Sequence, residues 1–189
     1  TPPFLRSLEE RYASRDLIIY EGLRLTYGEA AAQSATLARG MLASGISKGS
    51  RLGLLMPNSP DFVVAWLAAA RIGAIIVPIN TFYKPKELAF ILHHADIQAL
   101  LTADKLLNND YLARLETCIP QLLESMHRAD SSKPLLLRNF PFLRHIYVWG
   151  EATRDWSSSQ QHLLDAAELV DAGYLTAVED CVCPADLLT

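Results

Sequence analysis

The sequence predicts an α/β fold, a partly parallel sheet flanked by helices and entered through a short β-hairpin. Three observations predict it. Short apolar runs alternate with helical-period segments along most of the chain, a β–α–β–α rhythm that requires crossover connections. The run at 51–56 is apolar in both orientations, as strands buried on two faces are. The breaks between segments carry Gly, Pro, Ser and Asn at positions that start helices or end them.

Each element follows in order. Residues 17–20 and 23–26 are β-prone runs joined by Glu21-Gly22, an acidic-Gly pair suited to a two-residue hairpin turn. Thr26-Tyr27-Gly28-Glu29 reads as a capping box, in which the Thr26 hydroxyl and the Glu29 carboxylate each satisfy the other residue's N–H. The helix that follows carries Ala30, Ser34, Leu37, Ala38 and Met41 on one face and stops at Gly45. Residues 51–56 form the first apolar strand. Ser59-Pro60-Asp61 then supplies an N-cap, a first-turn Pro and a first-turn carboxylate. The next helix is expected to bury Phe62, Val63, Trp66, Leu67 and Ala70 and to end at Gly73. A strand at 74–79 follows, then a helix from Pro85 with Leu88, Ile91, Leu92 and Ala95 at core spacing. Residues 97–102 read as a strand and 104–126 as mostly helical, divided by Pro120. A strand at 145–149 and a helix at 160–170 complete the series. Residues 128–144 and 151–161 read as surface connections.

Composition bounds the function. The 189 residues are 50% apolar with a net charge of −4, so the chain can bury a core and lacks the basic footprint of a nucleic-acid binder. No apolar run reaches the roughly 18–20 residues of a membrane span. Three Cys, an odd number without a signal peptide, suggest a reducing, cytoplasmic setting.

Generic chemical motifs are absent: no phosphate-binding G-x-x-x-x-G-K-[ST], no G-x-G-x-x-G, no G-x-S-x-G, no H-E-x-x-H. Cys181-Val182-Cys183 has one spacer residue and no second ligand pair, so packed or solvent-side thiols are expected there rather than a metal site. His93-His94 lies on a helix whose core face is elsewhere, so a surface role is expected, with at least one His in solvent. Phe62 and Trp66 read as core at helical spacing. From these residues alone, the chain is an α/β domain without a complete active site.

The ordered series of segments adds a resemblance. Leu25-Thr26-Tyr27-Gly28-Glu29-Ala30 resembles the first core motif of the adenylate-forming, or AMP-binding, superfamily. Gly49-Ser50-Arg51-Leu52-Gly53-Leu54-Leu55-Met56-Pro57-Asn58-Ser59 is similar to its next strand and turn. Ala68-Ala69-Ala70-Arg71-Ile72-Gly73-Ala74-Ile75-Ile76-Val77-Pro78-Ile79-Asn80 resembles the second core motif, and Lys84-Pro85-Lys86-Glu87-Leu88 continues it. Pro184-Ala185-Asp186-Leu187-Leu188 resembles the run that precedes the family's ATP-binding loop.

The resemblance implies the N-terminal part of the large domain of an acyl-CoA synthetase, of the fatty-acid–CoA ligase type, with residues 1–189 as a single α/β unit. It also implies that the ATP-binding loop and C-terminal domain are absent and that the fragment is inactive alone. The full-length enzyme would use ATP, Mg²⁺ and CoA, none of which is expected to bind this fragment tightly. Its partners would be a small-molecule carboxylic acid, CoA and the rest of its own chain, with no catalytic or metal-ligating residue here. Phe82 stands where relatives commonly carry an Arg, and is a candidate to stack on the CoA adenine, with Lys84 as a candidate phosphate contact. The alternative for Phe82 is a plug in the seam between helix and sheet. Lys84 also replaces a capping Thr, which should weaken that helix start by about 1 kcal/mol. Two other readings compete: a non-catalytic α/β binding or interaction module derived from the family, and a flavodoxin-like receiver or nucleotide-binding domain.

Overall fold

The computed structural model describes residues 2–124 and 133–189. In chain order the elements are α1 (Pro2–Tyr12), β1 (Asp16–Tyr20), β2 (Leu23–Thr26), α2 (Tyr27–Ala43), β3 (Arg51–Leu55), α3 (Pro60–Arg71), β4 (Ile75–Pro78), α4 (Pro85–His94) and β5 (Ala99–Ala103). They continue with β6 (Lys105–Leu106), β7 (Asn109–Asp110), α5 (Tyr111–Cys118), α6 (Gln121–Glu124), β8 (His145–Trp149), β9 (Ser158–Ser159), α7 (Gln160–Ala166), a 3-10 turn (Ala167–Leu169) and α8 (Ala172–Asp180). Two compact units result. One holds residues 2–50, 58–76 and 161–189, and the other the described residues of 51–57 and 77–160.

In the first unit, β1 and β2 pair antiparallel across Glu21 (φ 48°) and Gly22 (φ 83°). Both turn residues are left-handed, as a tight hairpin turn with the twist of its strands requires. The predicted capping box closes: the Glu29 N–H donates to Thr26 Oγ1 at 3.2 Å and the Thr26 N–H to Glu29 Oε2 at 2.8 Å. That backbone donation, followed by the Thr26 hydroxyl's own, holds the Glu29 carboxyl below the usual carboxylate range. All five residues predicted for the inner face of α2 are buried. Gly40 is required by proximity, because a Cβ there would lie 1.8 Å from the Leu163 carbonyl oxygen.

Helix α3 begins as predicted, with Ser59 Oγ accepting the Phe62 N–H at 3.2 Å, but it turns a different face inward. Val64, Ala65, Ala68, Ala69 and Ala70 are buried, while Phe62, Val63, Trp66 and Leu67 are half-buried. Phe62 and Trp66 are therefore not core; their rings pair with each other at 5.8 Å. Helix α2 packs on α3, and small side chains let two helix axes approach where Phe and Trp would hold them apart. Helices α1 and α8 lie outside the elements the sequence predicts.

The sheet runs in the order β4-β3-β5-β8-β9, with β3–β5, β5–β8 and β8–β9 parallel. This is the predicted α/β class, and a helix precedes the predicted hairpin. Strand β5 is buried throughout, and its Gly53 neighbour on β3 leaves room for Leu100, Ile79 and Ile97. Helix α4 packs on α5 in this unit. Two predictions change here. Residues 105–110 form the β6–β7 hairpin instead of helix, turning at Leu107 (φ 53°) and Asn108. Asp110 then caps α5 by accepting the Ala113 N–H at 2.8 Å. The Asn108-Asn109 pair carries that turn tendency. Met126, at the end of the predicted helix, lies outside the described residues, as do 128–132. Of the supposed surface connections, Leu135, Leu137, Phe140, Leu143 and Trp156 are buried. Apolar side chains from these segments pack although no regular period announces them.

Candidate functional site

In open parallel sheets, ligands bind beyond the carboxyl ends of the strands. In the sheet-bearing unit those ends include the turn after β4, Asp104 after β5, and Gly150 after β8. Asp104 is buried, and its carboxylate accepts N–H groups from Lys105 (2.6 Å), Glu151 (3.1 Å) and Ala152 (3.2 Å). Gly150 sits at φ 136°, and a Cβ there would fall 2.2 Å from the Asp104 Cγ. Asp104 thus ties two loops together and spends its lone pairs on the backbone. It is an organiser of the sheet end, not a free base.

The turn after β4 presents the two residues singled out from the sequence. Asn80 Oδ1 accepts the Phe82 N–H at 2.9 Å, and the Asn80 carbonyl accepts the Tyr83 N–H at 3.1 Å. This local side-chain bond closes the turn and leaves Phe82 at its apex, 75% exposed. The ring therefore does not plug a seam. Lys84 is exposed at the start of α4. It has no side-chain cap to offer, but its N–H donates to Glu87 Oε2 at 2.9 Å. Glu87 thus recovers half of the missing capping box.

Arg114 on α5 holds this turn from behind. Its Nη1 donates to the Thr81 carbonyl at 2.9 Å and the Tyr83 carbonyl at 2.8 Å, and its Nη2 donates to Asn109 Oδ1 at 2.6 Å. The guanidinium lies 5.2 Å over the Tyr111 ring. Phe82 is thereby displayed on a turn whose two flanking carbonyls are fixed. Beside it, Tyr83, Lys86, Glu87, Phe90 and Ile91 line an open groove of about 400 Å³. Phe90 is exposed and stacks on His94 at 5.1 Å. Both His93 and His94 face solvent.

Sequence reasoning did not find Arg114, since one Arg in an amphipathic helix reads as surface. Nor did it find Arg71, which is 5% exposed. A signal for Arg71 exists in retrospect: it stands at i+3 from Ala68 and i+7 from Val64, on the small-residue face. Its Nη1 pairs with Glu179 Oε1, its Nε donates to Ser34 Oγ at 3.0 Å, and its Nη2 donates to the Ala31 carbonyl at 3.2 Å. Glu179 also binds Arg6 at 2.8 Å. In the last segment, Asp186 pairs with Lys48 at 2.7 Å and accepts the Cys183 N–H at 2.7 Å. These bonds, Lys48 first, hold Asp186 below the usual carboxylate range.

Cys181 and Cys183 are exposed thiols, and Cys118 is half-buried. Among the described residues no three His, Cys, Asp or Glu side chains gather as a cation site. Among them, too, no helix is long and apolar enough to cross a membrane.

Comparison with known proteins adds a match along most of the chain. The family model for AMP-binding enzymes matches residues 5–176. The chain is 35% identical over 127 residues to acyl-CoA ligase SID4 of Ajellomyces capsulatus, covering 66% of this chain and 20% of that protein. It is 30% identical over 120 residues to the mitochondrial medium-chain acyl-CoA ligase ACSF2 of Danio rerio, covering 62% and 20%. The chain thus spans about a fifth of the length of these curated relatives. Among solved structures, it shares the fold of the anthranilate CoA ligase AuaEII in complex with anthranoyl-AMP. The TM-score is 0.68 at 21% identity, over 87% of this chain and 27% of that one.

Proposed function

The chain belongs to the AMP-binding enzyme family, and we propose from that premise that residues 1–189 are the N-terminal part of the large domain of an ATP-dependent carboxylate–CoA ligase. The single observation that carries this reading is the coincidence of the family match at residues 5–176 with relatives named as acyl-CoA ligases. The overall reaction is carboxylate plus ATP to acyl adenylate and pyrophosphate, followed by attack of the CoA thiol to give acyl-CoA and AMP.

This stretch contributes little to the first step. Mg²⁺ neutralises phosphate oxygens in such chemistry, but Asp104 is committed to three backbone N–H groups and no other described carboxylates converge. No ATP–Mg²⁺ contact is therefore assigned to these residues, and the chain alone is inactive. The contribution assigned here is to the second substrate. Phe82 offers an exposed ring for the CoA adenine and Lys84 an ammonium for its phosphates, on a turn that Arg114 immobilises. By analogy with base–aromatic stacking, Phe82 supplies about 1–3 kcal/mol.

Three cysteines without a disulfide among them fit a reducing compartment such as the cytoplasm, while the ACSF2 relatives are named as mitochondrial. The acid is a carboxylic acid whose side chain is selected elsewhere.

Two measurements test this reading. Pyrophosphate release with ATP and a panel of carboxylates is expected from the whole protein and not from residues 1–189; release by the short chain would refute the assignment. In the whole enzyme, Phe82→Ala is expected to raise KM for CoA by about 5- to 150-fold and leave KM for ATP unchanged. An unchanged KM for CoA removes Phe82 from the site.

A further inference from the structure

One motif that the ligase reading leaves unused is Cys181-Val182-Cys183, which follows α8 in the first unit. Both cysteines are exposed free thiols, while Val182 between them is buried. Val182 is seated against Gly73, where a Cβ would come within 3.1 Å of the Val182 Cγ2. Two accessible thiols thus flank a residue that is anchored in the fold.

One ion pair ties the motif together. Lys48 Nζ donates to the Cys181 carbonyl at 2.8 Å and pairs with Asp186 at 2.7 Å. Asp186 accepts the Cys183 N–H at 2.7 Å, and its own N–H donates to the Cys183 carbonyl at 3.1 Å. The backbone groups on either side of Val182 are therefore held by Lys48 and Asp186, which hold each other. The hydrogen bond to Asp186 first, and then the charges of Asp186, Cys183 and Cys181, keep the Lys48 ammonium above the usual lysine range. Both sulfurs accordingly lie within electrostatic reach of the same cation. Beyond Asp186, the Leu188 carbonyl accepts the N–H of Ile76 in β4 at 2.7 Å, so the segment fixed by this ion pair lies against an edge strand.

Residues i and i+2 are at most about 7 Å apart at Cα, the upper edge of the roughly 4.4–6.8 Å that a disulfide spans. Such a pair closes by drawing the chain in at the residue between. Here that residue is Val182, whose flanking carbonyl and N–H are the groups that Lys48 and Asp186 hold. We propose that Cys181 and Cys183 form a reversible disulfide on oxidation by hydrogen peroxide, and that its closure loosens the Lys48–Asp186 latch on residues 184–189. One sulfur attacks a peroxide oxygen, the O–O bond breaks, and a sulfenic acid and a water result. The second sulfur displaces the sulfenic hydroxyl, the S–S bond forms, and a second water carries off the remaining thiol hydrogen. Two electrons pass from the thiols to the peroxide. An exposed, strained disulfide is of the labile, regulatory kind, as transient disulfides in a reducing compartment are. The switch does not depend on the CoA reading.

The whole protein is treated with hydrogen peroxide at neutral pH and digested without reduction. The peptide carrying residues 181–183 is expected to be lighter by two hydrogens and to regain them with dithiothreitol. The Ile76 amide should exchange its hydrogen at least about tenfold faster in the oxidised protein, with the amides of α2 unchanged. Cys181→Ser with Cys183→Ser should keep the slow rate under peroxide, and Lys48→Met should speed Ile76 exchange without any oxidant. Sulfenic or sulfinic acids with no disulfide, or a disulfide joining two copies of the chain, would overturn the pairing. An intact Ile76 rate in the oxidised protein would overturn the latch.

Discussion

Two guanidinium groups, one in each compact unit, are held in opposite ways. Arg71 is buried, with a carboxylate for its charge and a hydroxyl and a carbonyl for its remaining donors. Arg114 donates only to neutral oxygens, two turn carbonyls and one amide, and among the described residues it makes no ion pair. The first arrangement cancels a charge inside a helical layer. The second keeps a charge while using its rigid fork to fix a backbone turn. A guanidinium whose charge is consumed can only brace the fold, whereas one whose charge is retained also sets the potential around an exposed aromatic ring.

The sharpest way to break this contrast is Arg71→Ala. It leaves the buried Glu179 with Arg6 as its remaining ion-pair partner, and a loss of about 3–5 kcal/mol is expected in urea unfolding. The paired change Arg71→Met with Glu179→Leu should recover most of that, because a well-packed apolar pair can replace a buried ion pair. Arg114→Ala should cost only about 1–2 kcal/mol, and its main effect should be a raised KM for CoA with kcat nearly unchanged. If both Arg variants lose equal stability, the distinction between brace and clamp fails.

A capping difference sharpens the comparison further. Thr26→Ala in the first unit removes a side-chain acceptor from α2 and should cost about 1 kcal/mol. Lys84→Ser in the second should add the acceptor that α4 lacks, stabilising by about 0.5–1 kcal/mol while weakening CoA binding. Acid adds a test confined to the first unit. Glu29 and Asp186 both have folded-state pKa values below their unfolded ones. Their contribution is therefore complete above the ordinary carboxylate pKa and disappears as pH falls through the lowered values. Asp186→Asn should flatten the acid limb of a thermal-melt series. The smallest effect is on reactivity alone. Burial pushes the Cys118 thiol up to about 12, so Cys181 and Cys183 should react with a thiol reagent at pH 8 while Cys118 stays silent until the protein unfolds.

Local signals were legible and distant ones were not. The Thr26–Glu29 box and the Ser59 cap are contained within four residues, so the sequence predicts them and the structure contains them. The inner face of α3 depends on what lies opposite. Hydrophobicity favours Phe62 and Trp66, but close approach to α2 selects Ala65, Ala68 and Ala69. Arg114 shows the same limit at the candidate site. Phe82 and Lys84 are readable from their place after Pro78-Ile79-Asn80, whereas the residue that fixes their turn comes from thirty positions later and carries no local mark. Buried Trp156 was hidden for a related reason, because its indole N–H finds Glu116 at 3.3 Å, forty residues away.

Asp104 carries a mechanical consequence. One carboxylate is the hub for the first residue of the β6–β7 hairpin and for the two residues that leave Gly150. Lys105 takes one carboxylate oxygen and Glu151 and Ala152 share the other, so a movement of the Asp104 side chain releases both loops at once. The two loops at this end of the sheet therefore share one anchor, and the amides of Lys105, Glu151 and Ala152 should exchange their hydrogens at one shared rate.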